Sequence, residues 1–284
     1  MTNALPKTKL DEVLDLVIHS GLKDVRTFGS HASKRLAFRQ SLSQLLERNC
    51  DIDDRTSAHM SLAIIANYEN KHQDALHHFQ RAYELAPSNG AIISNYARAL
   101  GTAGQPELAA KKFLEAFYLM PSDTSIFMPL VRICVDYLYT DILTDALKIG
   151  QNLLAANFLS FALEKINEAG KTLNFLKQHR VSLDVYRSVF QCVEFLIYSM
   201  ISIGTPVDDH SFINIDSDYY SNMIRIAHLN PVQIADMNDA LEDRILTWVD
   251  ENKANYPDGE LKRMVSHLVF YFMPMDDIEV AHAS

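Results

Sequence analysis

The sequence predicts a mainly α protein, an array of helical hairpins followed by a small α+β domain with a mostly antiparallel sheet. Three observations carry that expectation. Apolar residues recur at helical spacing through most of the chain, and the stretch from 56 to 123 repeats itself every 34 residues. Gly and Pro number 9 each, too few for a turn-dense all-β chain. Beyond residue 180 the pattern changes to short alternating or continuous apolar runs, which read as strands. A length of 284 residues, 48% hydrophobic and 22% charged, suits a folded chain of more than one domain. The expected divisions are capping helices over 1–55, the hairpin array over 56–179 and an acidic domain over 180–284.

The array rests on an internal alignment. Residues 56–89 and 90–123 match without a gap, pairing Ala63 with Ala97, Ala75 with Ala109, Phe79 with Phe113, Ala82 with Ala116 and Pro87 with Pro121. Each copy reads as two helices separated by a polar break, Glu69–Asn70–Lys71 in the first and Gly101 to Pro106 in the second. Alanines at fixed places let paired helices approach closely, a Phe fills the gap between hairpins, and the proline stops the second helix. Pro106 fits the first turn of its helix, where a missing N–H costs nothing.

Flanking segments extend the pattern more loosely. Ser125 to Tyr139 and Asp141 to Phe158 each read as one helix, a candidate third hairpin with Ala146 in the packing role and no closing proline. Phe161 to His179 is a further helix, while Ser33 to Arg48 and Leu10 to Ile18 read as caps.

The 34-residue period with Ala-x3-Phe-x2-Ala-x4-Pro resembles the tetratricopeptide repeat family, over 56–123 clearly and over 31–158 more loosely. The first helices depart from the family pattern: His59, Leu62, Ala63 and Ala66 in one copy, and Ile93, Tyr96, Ala97 and Leu100 in the other, stand where the family favours Trp, Leu, Gly and Tyr. The resemblance implies a concave groove, lined by the first helices, that binds a protein or peptide without catalysis. Mapped onto this sequence, the groove residues are Met60, Ile64, Asn67, Tyr68, Ser94, Asn95 and Arg98. Met128 and Arg132 extend it if the third hairpin forms. Met60 and Ile64 occupy the positions where a carboxylate-gripping groove carries Lys and Asn, so that clamp is not expected. The remaining surface suits an amphipathic helix or extended peptide with an occasional acidic residue. The competing expectation is that the chain's own extra helices fill the groove.

In the last third, Leu183 to Met200 reads as a helix with Ser182 as N-cap. Ser211 to Ser217 and Tyr219 to Leu229 read as strands, and Asn230–Pro231 opens an amphipathic helix striped by Ile234, Met237, Leu241, Ile245 and Trp248. Pro257–Asp258–Gly259 reads as a turn. His267 to Met273 is apolar throughout, like a strand covered on both faces. The helices supply one cover; the array, a second copy of the chain as a homodimer, or a partner supplies the other.

Charge and motifs narrow the function. Lys and Arg total 26 against 36 Asp and Glu, a net charge of −10 that argues against general nucleic-acid binding. That charge sits almost wholly beyond residue 180, which raises the alternative of a regulatory inhibitor, of antitoxin, immunity or sensor type, whose acidic domain masks a basic partner. Cys50, Cys134 and Cys192 form no pairing motif, which fits reduced thiols in a cytoplasmic protein. The stretch from Met1 to Leu10 does not read as a secretory signal, and Phe195 to Ile203 is far short of the roughly 20 residues that span a bilayer. His59, His72, His77 and His78 crowd one repeat, but His72 to His77 is not the i, i+4 spacing of metal pairs, and solvent-facing positions are expected. Asp208, Asp209, His210, Asp216 and Asp218 read as a solvated turn lacking the glycine and closing glutamate of a calcium loop. No phosphate loop, nucleophile elbow or His-Glu-x-x-His motif is present, so no catalytic, cofactor or metal residues are predicted, and the protein is read as a non-enzymatic interaction scaffold.

Overall fold

The computed structural model describes residues 32–47, 51–200, 212–257 and 259–275. The cap over Leu10 to Ile18, Cys50, Asp208, Asp209, His210 and Asp258 lie outside them. The elements are α1 (Ala32–Glu47), α2 (Ile52–Tyr68), α3 (His72–Leu85), α4 (Gly90–Thr102), α5 (Pro106–Leu119), α6 (Thr124–Asp136), α7 (Thr140–Gly150), α8 (Ala156–His179), α9 (Leu183–Met200), β1 (Phe212–Ile215), β2 (Tyr220–Ile226), α10 (Pro231–Asn252), α11 (Glu260–His267) and β3 (Leu268–Pro274). The fold is mainly α with a small three-stranded sheet.

The helices obey the period at their ends as well as in their sequence. α2, α4 and α6 stop at Tyr68, Thr102 and Asp136, and their partners begin at His72, Pro106 and Thr140, each set spaced by 34. The reversal is the same each time. Asn70, Gly104 and Leu138 take left-handed φ of 56°, 74° and 56°. Their N–H groups bond back to the carbonyls of Asn67, Gly101 and Val135, and the next N–H groups, of Lys71, Gln105 and Tyr139, reach Ala66, Leu100 and Cys134 at 2.9, 2.9 and 2.7 Å. That pair of bonds satisfies helix-end carbonyls that would otherwise be orphaned. The third hairpin therefore forms with the geometry of the first two.

Its second helix is shorter than expected. The single helix over Asp141 to Phe158 ends at Gly150, whose carbonyl accepts from both Leu153 and Leu154 at 2.9 Å, and α8 starts at Ala156.

The described chain divides into two compact units, the first ending at Met120 and the second beginning at Pro121, so α6 to α8 group with the acidic third. In the first unit, Phe38, Leu42, Leu45 and Leu46 of α1 pack on Leu62 and Ile65 of α2, while Leu36 faces out. Ala63, Ala75, Ala82, Ala97, Ala109 and Ala116 are fully buried, which is where the repeat pattern demands small side chains.

In the second unit, α9 buries Val185, Tyr186, Val189, Phe190, Val193 and Leu196, with the Phe190 ring against Tyr137 and Phe270. The Ser182 hydroxyl caps α9 by accepting from Val185 N–H at 3.3 Å. The sheet order is β1-β2-β3. β1 and β2 are antiparallel, from Phe212 opposite Met223 to Ile215 opposite Tyr220. β2 and β3 are parallel, from Tyr220 opposite Leu268 to Ile226 opposite Pro274. The sheet is thus mixed rather than mostly antiparallel. The tight turn at 216–219 forces the first pair, whereas α10 and α11 provide the long crossover a parallel pair needs. α11 answers to no helix expected from the sequence pattern.

β3 is not covered on both faces. Leu268, Phe270 and Phe272 are buried, but Val269 is 43% and Met273 36% exposed. Its outer edge is closed instead. Phe272 N–H donates to Asn238 Oδ1 at 2.7 Å and Asn238 Nδ2 donates to the Phe272 carbonyl at 3.0 Å, so a side chain of α10 imitates a neighbouring strand. Pro274 then offers no N–H, which further blocks strand addition.

The turn chemistry makes a direct prediction. A Cβ at Gly104 would meet nothing within 4 Å, so Gly104→Ala tests backbone conformation alone. Urea unfolding should show a loss of about 1 kcal/mol.

Candidate functional site

The expected groove positions lie on the first helices of the hairpins. Met60, Ile64 and Asn67 come from α2, and Ser94, Asn95 and Arg98 from α4. Tyr68 closes α2, and its side chain lies outside what the structure describes. Met60 and Ile64 are half-buried, packed onto the core formed by Ala63, Phe79 and Ala99. Ile64 also packs on the α1–α2 core, so much of its surface fills the fold rather than the groove. Ser94 is buried. The Asn95 amide donates to the Ala91 carbonyl at 2.9 Å, and exposed Arg98 carries its guanidinium over the Phe113 ring, 5.8 Å from the centroid. Between the hairpins, Thr102 Oγ1 donates to Asn67 Oδ1 at 3.1 Å. This bond ties α2 to α4, and Thr102, which sequence reasoning passed over, stands one repeat beyond Tyr68.

Met128 and Arg132 sit on α6, within the second unit. They line a crevice with Val131, Val135, Phe161 and Lys165, closed by Ile213 of β1. Its free space is about 20 Å³, room for one water. On the third hairpin these two side chains therefore face the chain's own α8. The ion pairs there are internal: Arg132 with Asp136 at 3.6 Å and Lys165 with Glu168 at 2.7 Å.

Beside this crevice a polar cluster joins α6 to α9. The Tyr137 hydroxyl donates to Glu194 in a short hydrogen bond. Arg187 Nε donates to the Tyr137 carbonyl at 2.8 Å and Nη2 to the Leu138 carbonyl at 3.4 Å, with its guanidinium 4.3 Å from the Tyr139 ring centroid. Burial pushes the Glu194 carboxyl up to about 7; Tyr137 and Arg132 pull against that, and Asp136 adds to it.

The histidines differ from expectation. Only His77 is exposed; His59 of α2 and His78 of α3 are half-buried, with Nδ1 atoms 3.0 Å apart. Burial, then the charge of Arg81, holds His59 below the ordinary imidazole range, and burial takes His78 down to about 4. The pair was invisible to a search for i, i+4 spacing because it bridges two helices.

The acidic turn resolves as structural at Asp216, whose Oδ1 accepts from the Asp218 and Tyr219 N–H groups at 2.7 Å each. Those bonds hold its carboxyl below the usual range. Cys134 and Cys192 are buried, and burial pushes both thiols up, away from the nucleophilic thiolate. Among the described residues, no group of three or more His, Cys, Asp or Glu is placed to hold a metal ion, and no helix is long and apolar enough to cross a membrane.

The Glu194 shift fixes a sign. Its folded value of about 7 lies above the unfolded carboxyl value of 4.5, so the native state holds the proton more tightly. Stability from this group is complete below pH 4.5 and falls as pH rises through 7. Thermal melts of Glu194→Gln should lose that decline between pH 5 and pH 8, retaining any dependence from other groups. Compared with known proteins, the chain matches no family model, no curated protein and no solved structure.

Proposed function

We propose that the hairpins of α2 to α5 are tetratricopeptide-type repeats acting as a non-enzymatic recognition surface for a protein or peptide segment. The observation that carries this reading is the recurrence of one turn geometry at Asn70, Gly104 and Leu138, in register with the sequence repeat. Identical reversals at a fixed period present their first helices side by side, the arrangement that gives repeat proteins an extended binding face. Because Met128 and Arg132 face α8, the recognition surface is assigned to α2 and α4. Its chemistry is a thioether and aliphatic floor from Met60 and Ile64, amides from Asn67 and Asn95, and the Arg98 cation. That set suits an amphipathic helix or extended peptide carrying an acidic residue. Buried thiols at Cys134 and Cys192 fit a reducing setting such as the cytoplasm.

A second reading is favoured by α10, which exposes Asp236, Asp239, Glu242, Asp243, Asp250 and Glu251. On that reading the protein is a regulatory inhibitor whose acidic face masks a basic partner.

One experiment separates the two. The full chain and its Asn95→Ala/Arg98→Glu variant serve as bait for crosslinked partner capture, quantified by mass spectrometry at low and high salt. The groove reading predicts at least about a tenfold loss of the partner in the variant, with helicity unchanged by circular dichroism. Capture that ignores the variant but collapses between about 50 and 300 mM salt supports the acidic face instead.

A further inference from the structure

We infer that His59 and His78 form a two-imidazole binding site for copper(II), bridging the helices of the first hairpin. The side chains approach from α2 and α3 with Nδ1 atoms 3.0 Å apart, ring centroids 5.3 Å apart and planes tilted by 39°. In the metal-free protein one shared proton satisfies both nitrogens. The same two atoms are spaced as neighbouring ligands of one ion. Nitrogens bound at ~2.0–2.1 Å and separated by 3.0 Å subtend about 94° at the metal. Tetragonal copper(II) asks for an angle near ~90°.

Binding requires the ring that carries the shared proton to move it from Nδ1 to its own Nε2, so that both Nδ1 lone pairs face the ion with no net loss of a proton, and it turns each ring off the line joining the nitrogens. Both residues are half-buried, so the outward coordination positions open to water, which supplies the remaining ligands. The surrounding charges are mixed. Glu84 and Asp74 favour a cation, and Arg39, Arg55 and Arg81 oppose it, with Arg81 ion-paired to Glu84 at 2.8 Å. In such a field the ion at the top of the divalent affinity order is the one that binds, and for imidazole ligands that ion is copper(II). His77, exposed and edge-on to His78, does not converge on the pair and serves as the internal control.

The test is a titration of the full chain with copper(II) chloride, followed by electron paramagnetic resonance and thermal denaturation. The expected result is an axial spectrum with two imidazole nitrogen couplings and a copper-dependent rise in melting temperature. Affinity should fall about tenfold or more in His59→Gln and in His78→Gln, and change by less than about threefold in His77→Gln. Pulsed measurements on the unmodified chain keep the test independent of any folding defect in the variants. No copper binding, fewer than two imidazole couplings, or a His59→Gln/His78→Gln double variant that binds copper as the parent does would each overturn the assignment.

Discussion

Each of the three described hairpins depends on one residue in the left-handed region just past the C-cap of its first helix. Without it the chain cannot reverse in so few residues, the helix-end carbonyls lose their partners, and the alanine faces cannot meet. Three residue types fill the position, and they carry different costs. Gly104 takes the conformation freely and Asn70 tolerates it, whereas Leu138 has a Cβ that clashes there. The compensation is visible around Leu138. Its side chain is buried, and Arg187 from α9 clamps both its carbonyl and that of Tyr137. The strain of the third turn is thus offset by contacts within the second unit, from sequence about 50 residues away.

That difference explains how much of the fold could be read from sequence. Where the hairpin is held together by its own residues, Ala63, Phe79, Ala97 and Phe113 declare it, and Pro87 and Pro121 mark its end. The third hairpin is held by α8 and α9, so its local signature has decayed to Ala146 and a missing proline. Strand direction failed for the same reason. Alternation in Tyr220 to Ile226 reveals a half-buried strand, but whether β3 lies parallel or antiparallel to it depends on the crossover through α10 and α11. The continuous apolar run from Leu268 to Met273 suggested two covered faces, yet only alternate residues are buried. Edge protection came from Asn238 and Pro274, features that hydropathy does not register.

The candidate site was legible in position but not in availability. The repeat placed Met60, Ile64, Asn67, Asn95 and Arg98 on the first helices of their hairpins, where the structure also has them. It could not show that Ile64 serves two cores, that Ser94 is buried, or that Asn67 is engaged by Thr102. Each of these follows from packing between hairpins, which a single-helix projection omits. The same omission hid the His59 and His78 pair, brought together only when α2 and α3 fold against each other.

The third hairpin is partly covered by α8. A helical hairpin with an apolar layer on one face is commonly covered there by a further helix. Phe161 and Lys165 of α8 do this against Val131, Val135 and Arg132, leaving only a water-sized gap. Val131 and Val135 are buried there, so displacing α8 would expose apolar area with little to offset the loss. The first two hairpins differ in kind. On α4 the Arg98 guanidinium lies over the Phe113 ring and the Asn95 amide donates to the Ala91 carbonyl. Polar side chains that find partners within their own helix or hairpin, unlike the valines beneath α8, do not need a further helix over them to keep apolar area from water.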